Sequence, residues 1–174
     1  MPSIRSATEY LPTADDIRLA RLAALAVGLA VVEAGFPSPI PGVKPGLANI
    51  VTLIVLIRLG WRAAIWVSML RVVAAAIVLG TFLSPGFFLS LAGAVASLLM
   101  LGCCCSLPPR WFGPVSLSIL AAFAHIAGQL ALAGAWLLPV AAIWYLLPVF
   151  TGAAWLFGLA NGLICARFLQ QENI

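Results

Sequence analysis

From residue 17 to residue 168 the chain passes through one apolar run after another, separated by glycine and proline. Several runs approach or exceed the roughly 20 residues that carry a helix across a bilayer. That single feature predicts an all-α integral membrane protein, a six-transmembrane-helix bundle forming one domain. Composition agrees with it: 64% of residues are hydrophobic and 8% charged, whereas a soluble domain carries about 25% charged residues. The first apolar run has no small-residue cleavage site before the proline-rich stretch that follows it. It therefore reads as a spanning helix rather than a signal peptide.

Turn residues divide the runs. A polar segment over 1–16 is expected in the cytoplasm or on its membrane surface. Thr13 with Asp16 three residues on marks a helix start. Helix 1 is expected over 17–36, helix 2 over 46–59, helix 3 over 61–83 and helix 4 over 86–105. After LPPRWFGP, helix 5 covers 115–137 and helix 6 covers 148–168, before a short tail over 169–174. Residues 139–147 read equally as loop, half-helix or part of helix 6.

Charge sets the direction. An even number of crossings puts both termini on one side. With that side cytoplasmic, the inner segments hold Arg5, Arg18, Arg21, Arg58, Arg62, Arg110 and Arg167. The outer segments hold only Lys44, the single lysine of the chain. The excess of inner arginines predicts cytoplasmic termini. Trp61, Trp66 and Trp111 fall at the inner boundary and Trp136 and Trp144 at the outer one, as an aromatic belt would. The arginines are scattered between apolar runs, so the net charge of +4 points to membrane topology and to no nucleic-acid partner.

Polar groups inside hydrocarbon cost about 2.5–3.5 kcal/mol when charged, so each asks for a reason. Arg71 lies ten residues into helix 3, and His125 ten residues into helix 5, with Gln129 four residues further on the same face. Glu33 sits near the outer end of helix 1 and is the one carboxylate within reach of Arg71. Asn49 sits in the first turn of helix 2. Glu33, Lys44, Asn49 and Arg71 would line a path from the outer face toward mid-membrane. The bland reading gives these groups interhelical hydrogen bonds and no ligand. Helix 2 starts abruptly after Pro45 and Gly46, and open N–H groups there, with Lys44 beside them, would favour an anionic group. The prolines at 37, 39, 41 and 45 would make the preceding loop a stiff lid or merely a stiff turn. On helix 1, Ala20, Ala24 and Gly28 recur every four residues, the spacing of a close helix contact. Asn161 and Thr151 read as packing residues.

Other chemistries lack their residues. No aspartate pair is placed to hold Mg²⁺ and diphosphate in a cavity, and no phosphate-cradling GxxxxGK loop is present. Cys103, Cys104, Cys105 and Cys165 lack the paired spacing of a metal site. They read as small apolar residues, with acylation or redox chemistry of the triplet as the other reading. No metal, no cofactor and no catalytic set is expected, so uphill transport would need a partner to supply the energy.

The stretches PGVKPGLANIVTLIVL (41–56) and RVVAAAIVLGTFLSPGFFLSLAGAVASLL (71–99) closely resemble the Gx transporter family, often labelled heptaprenyl diphosphate synthase component I. The resemblance covers about 20–168. That family in turn resembles the substrate-binding S-components of energy-coupling-factor (ECF) importers of the bacterial inner membrane. The likeness implies an ECF S-component-like six-helix fold, an outward-facing pocket for a vitamin- or cofactor-type small molecule, and a gate between helices 1 and 2. It places Lys44 and Asn49 at gate and pocket. It also gives Ala20, Ala24 and Gly28 to docking a membrane coupling protein that works with ATPase subunits. Family members also resemble components found with flavin-based electron-transfer systems. That keeps open a non-catalytic scaffold with flavoprotein or isoprenoid-synthesis partners, holding a lipid-like molecule or none. The synthase label fits poorly with a chain that lacks aspartate-rich metal motifs.

Overall fold

The computed structural model describes residues 13–35, 46–105 and 112–171. They form six helices: α1 (Ala14–Gly35), α2 (Leu47–Leu59), α3 (Trp61–Val78), α4 (Pro85–Cys105), α5 (Pro114–Trp136) and α6 (Val140–Gln171). No strand occurs among the described residues. Helices α3, α4, α5 and α6 are each long and apolar enough to cross a membrane. Helix α1 has 22 residues but carries Asp15, Asp16, Arg18, Arg21 and Glu33. Helix α2 has 13, or about 20 Å at 1.5 Å per residue. That is short of the ~30 Å hydrocarbon core.

The short helix is the centre of the bundle. It packs against α1, α3, α5 and α6, while α4 lies between α3 and α5. Its sequence explains the position, since LANIVTLIVLIRL is apolar around most of its circumference, with Asn49 at its start and Arg58 at its end, and such a helix has little face to give to water. Ile50, Val51, Leu53, Val55 and Leu56 form the main cluster with residues such as Ala26, Val67, Leu101, Leu117 and Cys165 from the helices around them. One residue, Gly60, joins α2 to α3. Its φ of 87° is one that a side chain would resist.

The α4–α5–α6 side is held by close approach instead. A Cβ at Gly162 would lie 2.7 Å from the Cα of Val115, and one at Gly158 would lie 3.0 Å from the Cα of Ile119. On the other flank of α5, a Cβ at Gly128 would lie 2.7 Å from the Ala92 carbonyl. Glycine at these points lets the backbones nearly touch, the usual means of packing helices without a hydrophobic driving force between them.

Two helix limits differ from the sequence reading by more than three residues. Helix α3 stops at Val78, not at 83. Gly80 adopts φ 67°, its N–H bonds the Ile77 carbonyl at 3.1 Å, and the Thr81 N–H bonds the Ala76 carbonyl at 2.8 Å. This is a Schellman closure, and the apolar residues after it mask it in the sequence. Phe82 then stacks on Phe87 with ring centroids 5.0 Å apart, which carries the chain into α4. Helix α6 starts at Val140 and runs for 32 residues through Pro148, so 139–147 is neither loop nor separate half-helix beyond its first residue. Proline removes one backbone donor, and the helix continues past it.

Candidate functional site

The polar site is built around the first turn of α2. Gly46, with φ 73°, precedes that helix in the left-handed region. Glu33 lies in the last turn of α1 and is buried, with 6% of its surface exposed. Its Oε1 accepts the N–H of Gly46 and, at 3.3 Å, that of Leu47. A carboxylate sits poorly at the negative end of its own helix and well at the positive end of another. Glu33 does both at once, with the α2 amides closing around it.

Arg71 reaches the same turn from α3. Its Nη1 donates to the Asn49 Oδ1 at 2.8 Å, and the residue is 7% exposed. The Glu33 charge acts on Arg71, but no direct ion pair joins them among the described residues. Each spends its hydrogen bonds on α2. From α6, the Asn161 Nδ2 donates to the Gly46 carbonyl at 3.2 Å, which also accepts the Asn49 N–H at 2.8 Å. Three helices thus send polar groups to the start of a fourth, and a Cβ at Gly46 would fall 3.1 Å from the Asn49 Nδ2 and 3.4 Å from the Asn161 Nδ2.

Of the residues singled out in the sequence, Glu33, Asn49 and Arg71 are brought together. Lys44 and the proline-rich loop lie outside the described residues. His125 sits apart from the hydrogen-bonded set, against Gly93 of α4. Gln129 is half-buried and makes no hydrogen bond within the set. The amides expected to stand open at the start of α2 are taken by Glu33, so the helix end already holds an anionic group from its own chain. Asn161, read as a packing residue, belongs to the network. Only its placement in a 158–162 Gly-x-x-x-Gly segment, where a polar side chain is unusual, hinted at that.

Ala20, Ala24 and Gly28 are exposed on α1. They line an open apolar groove with Val27 and Val31 and with Leu70, Ala74 and Val78 of α3, and a Cβ at Gly28 would meet nothing within 4 Å. Among the described residues, no group of three or more His, Cys, Asp or Glu could hold a metal ion. Cys104 and Cys165 are buried, and Cys103 and Cys105 exposed, all as free thiols.

A family model described as heptaprenyl diphosphate synthase component I matches residues 22–168. The chain belongs to that family. No curated protein and no solved structure matches it.

Proposed function

We propose that this member of the heptaprenyl diphosphate synthase component I family is the substrate-binding subunit of an ECF-like importer in a bacterial inner membrane, with both termini cytoplasmic. A small molecule with an anionic or polar head binds beneath the 37–45 segment. A coupling protein docks on the groove along Ala20, Ala24 and Gly28, and ATPase subunits supply the energy. Lys44 meets the head, Asn49 and Arg71 line the pocket, and Glu33 holds the α2 end in place. His125 and Gln129 lie below on α5. The observation that carries this reading is Arg71, a guanidinium 7% exposed whose one direct hydrogen-bond partner among the described residues is a neutral amide. Ionisable groups inside membrane segments mark substrate paths by default.

One observation favours a second reading. The Glu33 carboxylate completes the α2 end from within the chain, so the network also suits a non-catalytic scaffold serving a flavin-based electron-transfer or isoprenoid system. The family's name mentions a synthase component; neither reading assigns the site a catalytic step. Gentle purification in lipid nanodiscs, followed by native mass spectrometry and an absorbance scan, separates the readings. Capture predicts a stoichiometric small molecule, lost in Lys44→Ala or Arg71→Met, and ATPase subunits among co-purifying proteins. A protein carrying only lipid, found with flavoproteins or prenyl synthases, would sink the capture reading.

A further inference from the structure

Between α1 and α3 the fold leaves an open groove of about 710 Å³ lined by alanine, valine, leucine and glycine alone. Ala20, Ala24 and Gly28 line its α1 side, and Leu70, Ala74 and Val78 its α3 side. The small residues make it hollow, since a Cβ at Gly28 would meet nothing within 4 Å. A polar occupant would go unsatisfied against such walls, so what fills them is apolar. Along α1 the groove runs from Ala20 to Val32, about 18 Å at 1.5 Å per residue. One leaflet of the ~30 Å hydrocarbon core is about 15 Å deep. The groove therefore has the length of one lipid tail's depth, and little more than half that of a spanning partner helix.

One end of the groove is charged. The end of α1 meets the start of α2, and Gly60 turns the end of α2 into α3, so α1 and α3 run in the same direction. Arg21 and Arg62 thus stand toward the same end of the pair. Arg21 is exposed and lies three residues before Ala24, on the ridge that lines the groove. On α3, Trp66 is four residues before Leu70 and 72% exposed. Arg62, four residues earlier again, is exposed too. The α3 wall therefore continues through an indole, the usual side chain of a membrane boundary, to a cation. Nearby, Asp16 is held by Thr13, and Asp15 lies 3.8 Å from Arg18. Among the described residues no ion pair joins Arg21 or Arg62 to a carboxylate. An apolar channel one leaflet deep with two cations at its mouth complements a tail that carries an anionic head.

We propose that the α1–α3 groove seats one tail of an anionic phospholipid, with its phosphate at Arg21 and Arg62 and Trp66 at the headgroup boundary. The site lies apart from the polar end of α2 and does not depend on substrate capture. It goes beyond the importer reading. The lipid fills the groove of the isolated subunit, and a coupling protein that docks there displaces it.

The test counts retained lipid. The full chain is placed in nanodiscs of phosphatidylglycerol and phosphatidylcholine in equal amounts and with the same tails, then released into mild detergent for native mass spectrometry. One phosphatidylglycerol should stay on each chain, kept over phosphatidylcholine by roughly twentyfold, the joint effect of two cations. Arg21→Gln and Arg62→Gln should each cut that preference about fivefold. Gly28→Leu puts a side chain in the groove and should lower retention of both lipids about tenfold. Gly152→Leu, at an equally open position on α6, should change neither. The arginine variants alter exposed positions only and keep the test valid if Gly28→Leu misfolds. Equal retention of the two lipids, a preference unchanged in both arginine variants, or a lipid-free dimer that Gly28→Leu splits would overturn the site. The same spectra judge the importer separately. A retained anionic lipid on a chain with no captured small molecule and no ATPase partner keeps the groove site and removes the importer. A captured small molecule on a chain that keeps no lipid does the reverse.

Discussion

Two helices of this protein begin against a carboxylate, and they do so by opposite means. At the start of α1, Asp16 Oδ2 accepts the Thr13 N–H at 2.9 Å, and the Thr13 Oγ1 accepts the Asp16 N–H at 3.2 Å. The two residues are three apart and exposed. At the start of α2, Glu33 accepts two amides from thirteen and fourteen residues away, and its carboxylate is buried while the amides it meets are half-buried. The chemistry is the same, a carboxylate on free N–H groups at the positive end of a helix. The environment differs, and it decides the worth of each. An exposed cap competes with solvent at every bond. A buried one has no substitute, so its removal exposes the full cost of unpaired groups.

The largest effect should come from removing the buried carboxylate. Glu33→Ala leaves the Gly46 and Leu47 amides without an acceptor and Arg71 without its counter-charge. Breaking a buried charge arrangement from one side costs about 3–5 kcal/mol. Equilibrium unfolding in mixed micelles should show a loss of that size, with Arg71→Met epistatic to it. The double variant should recover part of the loss, because neither charge is then stranded. A loss near that of an exposed cap would erase the contrast between the two helix ends. Gly46→Ala should come next. A side chain in the left-handed region costs roughly 1–2 kcal/mol, and the new Cβ would press on the Asn49 amide at 3.1 Å. The same unfolding measurement checks it, and Gly28→Ala, in open space on the α1 groove, is the matched control expected to be neutral or slightly stabilising.

The two caps also show what the sequence could disclose. Thr13 and Asp16 stand at a spacing that means the same thing in any helix, and α1 starts there. The apolar runs likewise placed four of the helices, α1, α2, α4 and α5, to within three residues at each end, because the length of an apolar run between turn residues is a local property of the chain. Glu33 is different. As the one carboxylate within reach of Arg71 it suggested a partner for that residue, but its actual bonds depend on how closely α1 and α2 pack. The same holds for Asn161, whose amide meets Gly46 from 115 residues away. The small-residue stripe on α1 was legible as a pattern, yet the helices that approach most closely use Gly128, Gly158 and Gly162. Spacing names a face that could pack; only the fold assigns it a neighbour.

The smallest predicted effect lies at the exposed cap, and it carries a definite sign. The Thr13 hydroxyl first, and then its backbone N–H, hold the Asp16 carboxyl below the ordinary carboxylate range. A carboxyl whose folded value is depressed contributes its stability above the unfolded value, about 3.9. That contribution fades as pH falls through the lower folded value. Amide exchange at Ile17, whose N–H bonds the Thr13 carbonyl at 3.1 Å, should therefore be protected equally at pH 7 and pH 5 and should lose protection only below about pH 4. Asp16→Asn should remove the pH dependence while leaving exchange in α2 unchanged. If acid instead loosens α2 before the first turn of α1, the buried end is the weaker of the two, and burial does not strengthen the cap.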